Sequence, residues 1–358
     1  MTTQTDNIQT DKMTFEGVQC LRFLAAFVVV IIHSTFYAGR LDPSIDVWHR
    51  GATGVDIFFV ISGFVMYVSS KSLTDRTDGW RTFAMRRIVR IVPLYWLLTT
   101  VSVGVALAVP ALVQNGDLSL AYIIKSYLFI PAEAAPGHYE PVMGVGWTLN
   151  FEAFFYAIFA LALLLRTNIV ATVSAVLIPC VILSFFKTPE WPDFAFYFKL
   201  ETLEFLAGIL IARYASRGTI PWPAAASALV IGLVSILFIP WPVFPGSQIF
   251  IVLSAALIVW ATVMLERPMQ GRWPRALMFL GGASYSLYLI HSMVGPFAPK
   301  ILSILGVQSG IVSILLSLTL SLIAAVICYV MVERPMTRFL SRLTGRKNVQ
   351  NEVSVAKV

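Results

Sequence analysis

Val18-Gln19-Cys20-Leu21-Arg22-Phe23-Leu24-Ala25-Ala26-Phe27-Val28-Val29-Val30-Ile31-Ile32-His33-Ser34-Thr35-Phe36-Tyr37-Ala38-Gly39 decides the fold class. A helix that crosses a bilayer needs about 20 mostly apolar residues, and this run supplies them. Two ionisable groups interrupt it, Arg22 and His33. At about 100° per residue, eleven positions bring them back to nearly the same helix face, ~16 Å apart along the axis. Ionisable groups at membrane depth are costly and face a protein interior or a wet cavity. The stretch therefore predicts a membrane helix that forms the wall of a site.

The rest of the chain agrees. Of its 358 residues 58% are hydrophobic and only 13% charged, more apolar surface than a soluble domain of this length can hide. The reading is an all-α polytopic membrane protein. The first seventeen residues carry Asp6, Asp11 and Glu16 but one lysine, Lys12, unlike the basic start of a cleaved signal, so the first span is expected to stay as an anchor. A net charge of +7 raises the question of nucleic acid, but the basic residues fall beside helix ends, which is membrane topology. Cys20, Cys180 and Cys328 sit in apolar segments without metal-ligand or disulfide spacing.

Apolar runs recur at 18–39, 54–70, 88–110, 119–130, 147–165, 168–186, 195–212, 223–240, 247–265, 277–297 and 309–332. The 119–130 run is too short to span and holds Lys125, so it is expected to be a short re-entrant or interfacial helix, leaving about ten transmembrane helices. With ten spans, 20 of the 26 Lys and Arg residues fall on the side of the termini, a strong positive-inside bias that places both termini in the cytoplasm. The organisation expected is a cytoplasmic segment over 1–17, a transmembrane domain over 18–339 and a cytoplasmic tail over 340–358. One echo stands out: Val263 to Met269 and Val330 to Met336 both carry Glu-Arg-Pro-Met at a helix end. Proline as a helix stop and arginine as a dipole partner account for it without a shared function.

Topology gives depth to the unusual side chains. His33, Asp56, Glu152 and His291 all fall in the half of the membrane away from the termini. One such group is ordinarily a satisfied core residue; four at matching depth point to a site. In the other half, Arg86, Arg87 and Arg90 open the third span and Arg22 lies near the start of the first. Arginine clusters at a membrane–cytosol boundary suit phosphates, through fixed charge and bidentate forks. Ser284, Tyr288, His291 and Gly295 recur at helical spacing as one stripe, either a packing seam or a cavity wall. Trp147 reads first as an interfacial aromatic residue.

Together, Arg22-x10-His33, Gly54-Val55-Asp56-Ile57-Phe58-Phe59-Val60-Ile61-Ser62-Gly63-Phe64, Arg87-x-x-Arg90, Gly146-Trp147-Thr148-Leu149-x-x-Glu152, Ser284-x-Ser286-Leu287-Tyr288-Leu289-x-His291 and Glu333-Arg334-Pro335 resemble membrane-bound acyltransferase family 3, over nearly the whole chain. Within it, the form Gly146 to Glu152 and the compact length are most similar to exopolysaccharide O-acetyltransferases of the succinoglycan type. The resemblance implies a bacterial inner-membrane, multi-pass enzyme moving an acetyl group from acetyl-CoA to a hydroxyl of a polysaccharide or lipid-linked oligosaccharide. Membrane lipid and polysaccharide-assembly proteins are the further partners implied, with no nucleic acid. The hydrolase domain that some relatives carry after the membrane domain is absent from this sequence.

On that reading Arg22, Arg87 and Arg90 bind the donor and His33 is the general base, since imidazole titrates near operating pH. Glu152, or failing it Asp56, orients His33. Trp147, Tyr288 and His291 are assigned to the acceptor. The sequence leaves open the sugar, its hydroxyl, acetyl against succinyl, and a transient acyl-His33. Two rivals share these features: a flippase or transporter of lipid-linked sugars, and a metal site of His33, His291 and Glu152, which lacks recognised ligand spacing.

Overall fold

The computed structural model describes residues 15–109, 118–135, 137–188, 190–215, 220–238 and 247–344. Most of the expected segments 1–17 and 340–358 lie outside these residues. The described part of 340–358 is helical as far as Leu343.

The helices follow the apolar runs: α1 Glu16–Ala38, α2 Thr53–Ser70, α3 Gly79–Ala108, α4 Leu120–Tyr127, α5 Trp147–Leu165, α6 Ile169–Ser184, α7 Thr202–Tyr214, α8 Trp222–Phe238, α9 Ser247–Met269, α10 Arg275–Gly282, α11 Ser284–Val294, α12 Phe297–Ile304, α13 Gly310–Cys328 and α14 Arg334–Leu343. Strands are confined to a small hairpin, β1 Glu133–Ala135 with β2 His138–Tyr139. Among the described residues six helices are long and apolar enough to cross a membrane. The α10–α11 pair, bent by 67°, makes a seventh if it counts as one span. The remaining three of the ten expected spans correspond to α6, α7 and α8, with 16, 13 and 17 residues. The protein is an all-α polytopic membrane protein, and α4, at eight residues, is too short to cross.

Three features position the site. First, α1 runs through the middle of the bundle, against α2, α9, α10, α11 and α13. The α13 seam is made by Ser313, Ser317, Ser321 and Ala325, all buried and four apart, small enough for helices to approach; Ser34 Oγ donates to Ser317 Oγ at 3.0 Å. Second, α2 and α7 meet backbone to backbone. A Cβ on Gly63 would lie 2.1 Å from the Phe205 carbonyl oxygen, and one on Gly208 2.0 Å from that of Val60. Gly63→Val or Gly208→Val is therefore expected to destabilise the bundle by about 1–3 kcal/mol or more through overpacking, read as a lower thermal unfolding midpoint of the purified protein. Third, the segment before α5 dips into the protein: Met143, Val145 and Gly146 are buried, so α5 starts at depth.

Proline does not stop the helices of the Glu-Arg-Pro echo as expected. Pro268 lies inside α9, and Pro335 sits in the first turn of α14, which follows α13 through a π-helical turn at Tyr329–Glu333. Proline is tolerated in a first turn because that N–H has no intrahelical acceptor.

Candidate active site

A cavity opens between α1, α2, α3, α5 and α11. Its polar wall holds Arg22, Ser62, Arg87, Arg90, Thr148, Glu152 and Tyr156; Val55, Phe58, Phe59, Ile91 and Leu149 give it an apolar side. The three arginines expected to act together are thus brought to one space from two helices. They are not equivalent. Arg87 is buried, donates from Nη2 to Ser69 Oγ at 2.7 Å, and lies over the rings of Phe83 and Tyr156 at 5.4 and 5.9 Å. Arg22 donates to Gln19 Oε1 at 3.3 Å. Arg90 borders the cavity with no hydrogen bond among the described residues, facing Glu333 electrostatically. A guanidinium with five donors and none used is built to take a ligand.

Glu152 belongs to this cluster. Its carboxylate accepts from Ser62 Oγ and from the Tyr156 hydroxyl, each at 3.1 Å, and it faces Arg22 electrostatically. Glu152 and His33 share no direct hydrogen bond. The sequence placed the two at equal depth by counting residues from the helix start, but the inward dip of the segment before α5 carries Glu152 further towards the arginines.

His33 stands beyond the cavity on the same helix. Its Nδ1 donates to the Val29 carbonyl at 2.9 Å, and its ring packs edge-on against His291, centroids 4.8 Å apart. His291 is fully buried and uses its own Nδ1 in the same way, donating to Leu287 O at 3.0 Å; its Nε2 has no partner. With both Nδ1 atoms bonded to a carbonyl four residues back, both Nε2 atoms of the neutral rings are acceptors. Tyr288 separates the two regions. Its hydroxyl donates to Val145 O at 3.0 Å and accepts from Thr148 Oγ1 at 2.9 Å, and its ring borders both Phe58 and His291 at 6.0 Å. The Ser284–Gly295 stripe is accordingly both things it could be: Ser284 and Tyr288 line the cavity, whereas a Cβ on Gly295 would meet the Tyr37 ring at 2.7 Å, a packing seam.

Asp56 is not at this site. It is buried on the α7 side of α2, carboxyl against carboxyl with the equally buried Glu204. The reason is the helix period, since Val55 and Phe59 take the cavity face and turn Asp56 away. Trp147 opens α5, with its ring 5.9 Å from Phe151 and Lys199 Nζ 5.6 Å from its centroid. Among the described residues there is no group of three His, Cys, Asp or Glu side chains placed to hold a metal ion.

The Glu-Arg-Pro echo has a structural meaning that the sequence reading missed. Glu266 accepts the N–H groups of Gly17 and Val18 at 3.0 and 2.9 Å, capping the start of α1, whose own N-cap residue Phe15 offers no side-chain bond. Glu16 answers by accepting the Gly271 N–H at 2.9 Å. Glu333 accepts from Ser286 Oγ at 2.6 Å and faces Arg22 and Arg90. Both carboxylates thus converge on the arginine end of α1, one on its backbone and one on its charge. A signal for this was present: a carboxylate recurring at the same motif position in two otherwise apolar helices.

Comparison with known proteins adds an independent line. The family model described as an acyltransferase domain matches residues 15–330. The chain is similar to the exopolysaccharide production protein ExoZ of Rhizobium meliloti (strain 1021), 37% identical over 80% of this chain and 90% of the relative. It is also similar to the acyltransferase MdmB of Streptomyces mycarofaciens, 26% identical over 80% of this chain and 79% of that protein. No solved structure matches it.

Proposed function

The chain belongs to the acyltransferase domain family, membrane-bound acyltransferase family 3, and from that premise we propose that it moves an acetyl group from acetyl-CoA to a hydroxyl of an exopolysaccharide or its lipid-linked precursor. The observation that carries the donor is the cavity with three guanidiniums, one of them unbonded, beside an apolar wall. Anionic phosphates fit the first and an acyl-pantetheine arm the second. The name of the Rhizobium meliloti relative supports the acceptor class. The bacterial relatives support a bacterial inner membrane, and the charge distribution supports both termini in the cytoplasm, so that the arginine end faces the acetyl-CoA pool.

In this reading His33 is the general base. The Val29 carbonyl fixes its tautomer, leaving Nε2 to take the proton of the acceptor hydroxyl as that oxygen attacks the thioester carbonyl. The thiolate of CoA then leaves with the electron pair of the broken bond. His291, Tyr288 and Trp147 line the acceptor's approach, and Asp56 serves the α2–α7 seam. Glu152 places a negative charge facing Arg22 and acts on the donor side. Glu152→Gln is expected to raise the acetyl-CoA KM by about 5–30-fold, with a smaller change in kcat, in steady-state assays at matched protein level.

The test is turnover by the purified protein in lipid nanodiscs. Release of CoA dependent on an oligosaccharide acceptor supports the reading. Protein that moves lipid-linked sugars between leaflets without consuming acetyl-CoA would make it the transporter instead.

A further inference from the structure

A second, more open pocket lies where the ends of α2 and α7 meet the turn between α5 and α6. It is separate from the arginine cavity. Tyr67, on the far side of α2 from Ser62 and Ser69, and Lys71, in the 3-10 turn just past the end of α2, line it. Lys71 and Arg213 place two cations on its wall, Thr167 and Asn168 add polar groups, and no carboxylate lines it among the described residues.

Local structure explains the arrangement. Arg166 closes α5 in the left-handed region (φ 53°), so the chain reverses and α6 begins at Ile169. The positive end of the α6 dipole then borders the same space. Asn168 caps that end, its Oδ1 accepting the Ala171 N–H at 3.2 Å, which leaves its amide hydrogens as donors. Just before the turn, α5 exposes Leu164 and Leu165, 50% and 59% accessible, as an apolar rail beside the basic pocket.

We propose that this pocket binds the phosphate headgroup of an anionic phospholipid, with the acyl chains lying along Leu164 and Leu165. Basic pockets between membrane helices at the cytoplasmic boundary are suited to such headgroups. The exposed leucines decide for a lipid over a free phosphate, which would use only the polar half. On the orientation proposed above this is the cytoplasmic boundary. The lipid site does not depend on the identity of the acyl donor or acceptor.

The test is titration of the purified full-length protein in detergent with phosphatidylglycerol, bound lipid being counted by native mass spectrometry. Lys71→Gln/Arg213→Gln is expected to bind about thirty-fold more weakly, at roughly fivefold for each basic residue lost. Asn168→Asp keeps the helix cap, because Asp caps as well as Asn, but places a negative charge against the phosphate. It is expected to lose lipid binding while its lipid-free unfolding temperature holds, and it decides the matter alone if the double variant fails to fold. Equal binding of phosphatidylcholine, or wild-type binding of phosphatidylglycerol by Asn168→Asp, overturns the proposal. So does displacement of the lipid by millimolar glycerol 1-phosphate, which would show a site for soluble phosphate.

Discussion

His33→Ala is expected to cut acyl transfer by about a hundred- to ten-thousand-fold, the range a positioned general base supplies, while the protein still folds and still binds acetyl-CoA. The separation of the two regions makes this sharp. His33 shares no hydrogen bond with the arginine cluster among the described residues, and its Nδ1 bond to Val29 is internal to α1. Removing the imidazole leaves a small gap beside His291 and touches no part of the donor cavity. Donor binding by equilibrium titration should therefore match wild type, and turnover should collapse. A loss of donor affinity as large as the loss of turnover would place His33 in the binding machinery and remove it as the base. His33→Gln refines the test, since it offers hydrogen bonding near Nε2 without a titrating base, and should be as inactive as alanine.

What the sequence shows well is what depends on composition along one helix. Arg22 and His33 are on one face because eleven positions close three turns, and the structure uses that face for both. The three arginines could be grouped because charge at a helix end is a one-dimensional signal. Relations between helices are read less well. Glu152 was assigned to His33 by depth, but depth depends on where α5 starts, and the buried Met143–Gly146 segment sets that. The break at Gly281–Ser284 was invisible within one apolar run, because hydropathy carries no information on helix direction; a Cβ on Gly281 would lie 2.0 Å from the Gln19 carbonyl oxygen. Glu204 was legible as a carboxylate in an apolar segment, but its neighbour Asp56 was attributed to catalysis, and only the α2–α7 packing shows the two together.

The same geometry divides two arginines that look alike in sequence. Arg90→Ala is expected to raise the acetyl-CoA requirement about 10- to 150-fold, the loss of a charge-assisted phosphate contact, with unfolding temperature and acceptor requirement close to wild type. Its guanidinium has no hydrogen bond to lose among the described residues and sits at the cavity wall, near the like charge of Arg22. Removing it relieves that repulsion while losing the attraction to Glu333, two opposed changes in the free protein, so the main cost should appear when the donor binds. Arg87→Ala differs: it removes the bond to Ser69 Oγ, leaving that hydroxyl only its donation to Met66 O at 3.4 Å, and empties the space over Phe83 and Tyr156, the tyrosine that also donates to Glu152. It should lower both stability and donor affinity, and Arg87→Lys should restore charge but not the stacking. Steady-state kinetics on the acetyl-CoA axis, run beside thermal unfolding, separates the pair. Should Arg90→Ala leave the donor KM unchanged, the cation borders the cavity as topology alone, and the phosphates must be held by Arg22 and Arg87.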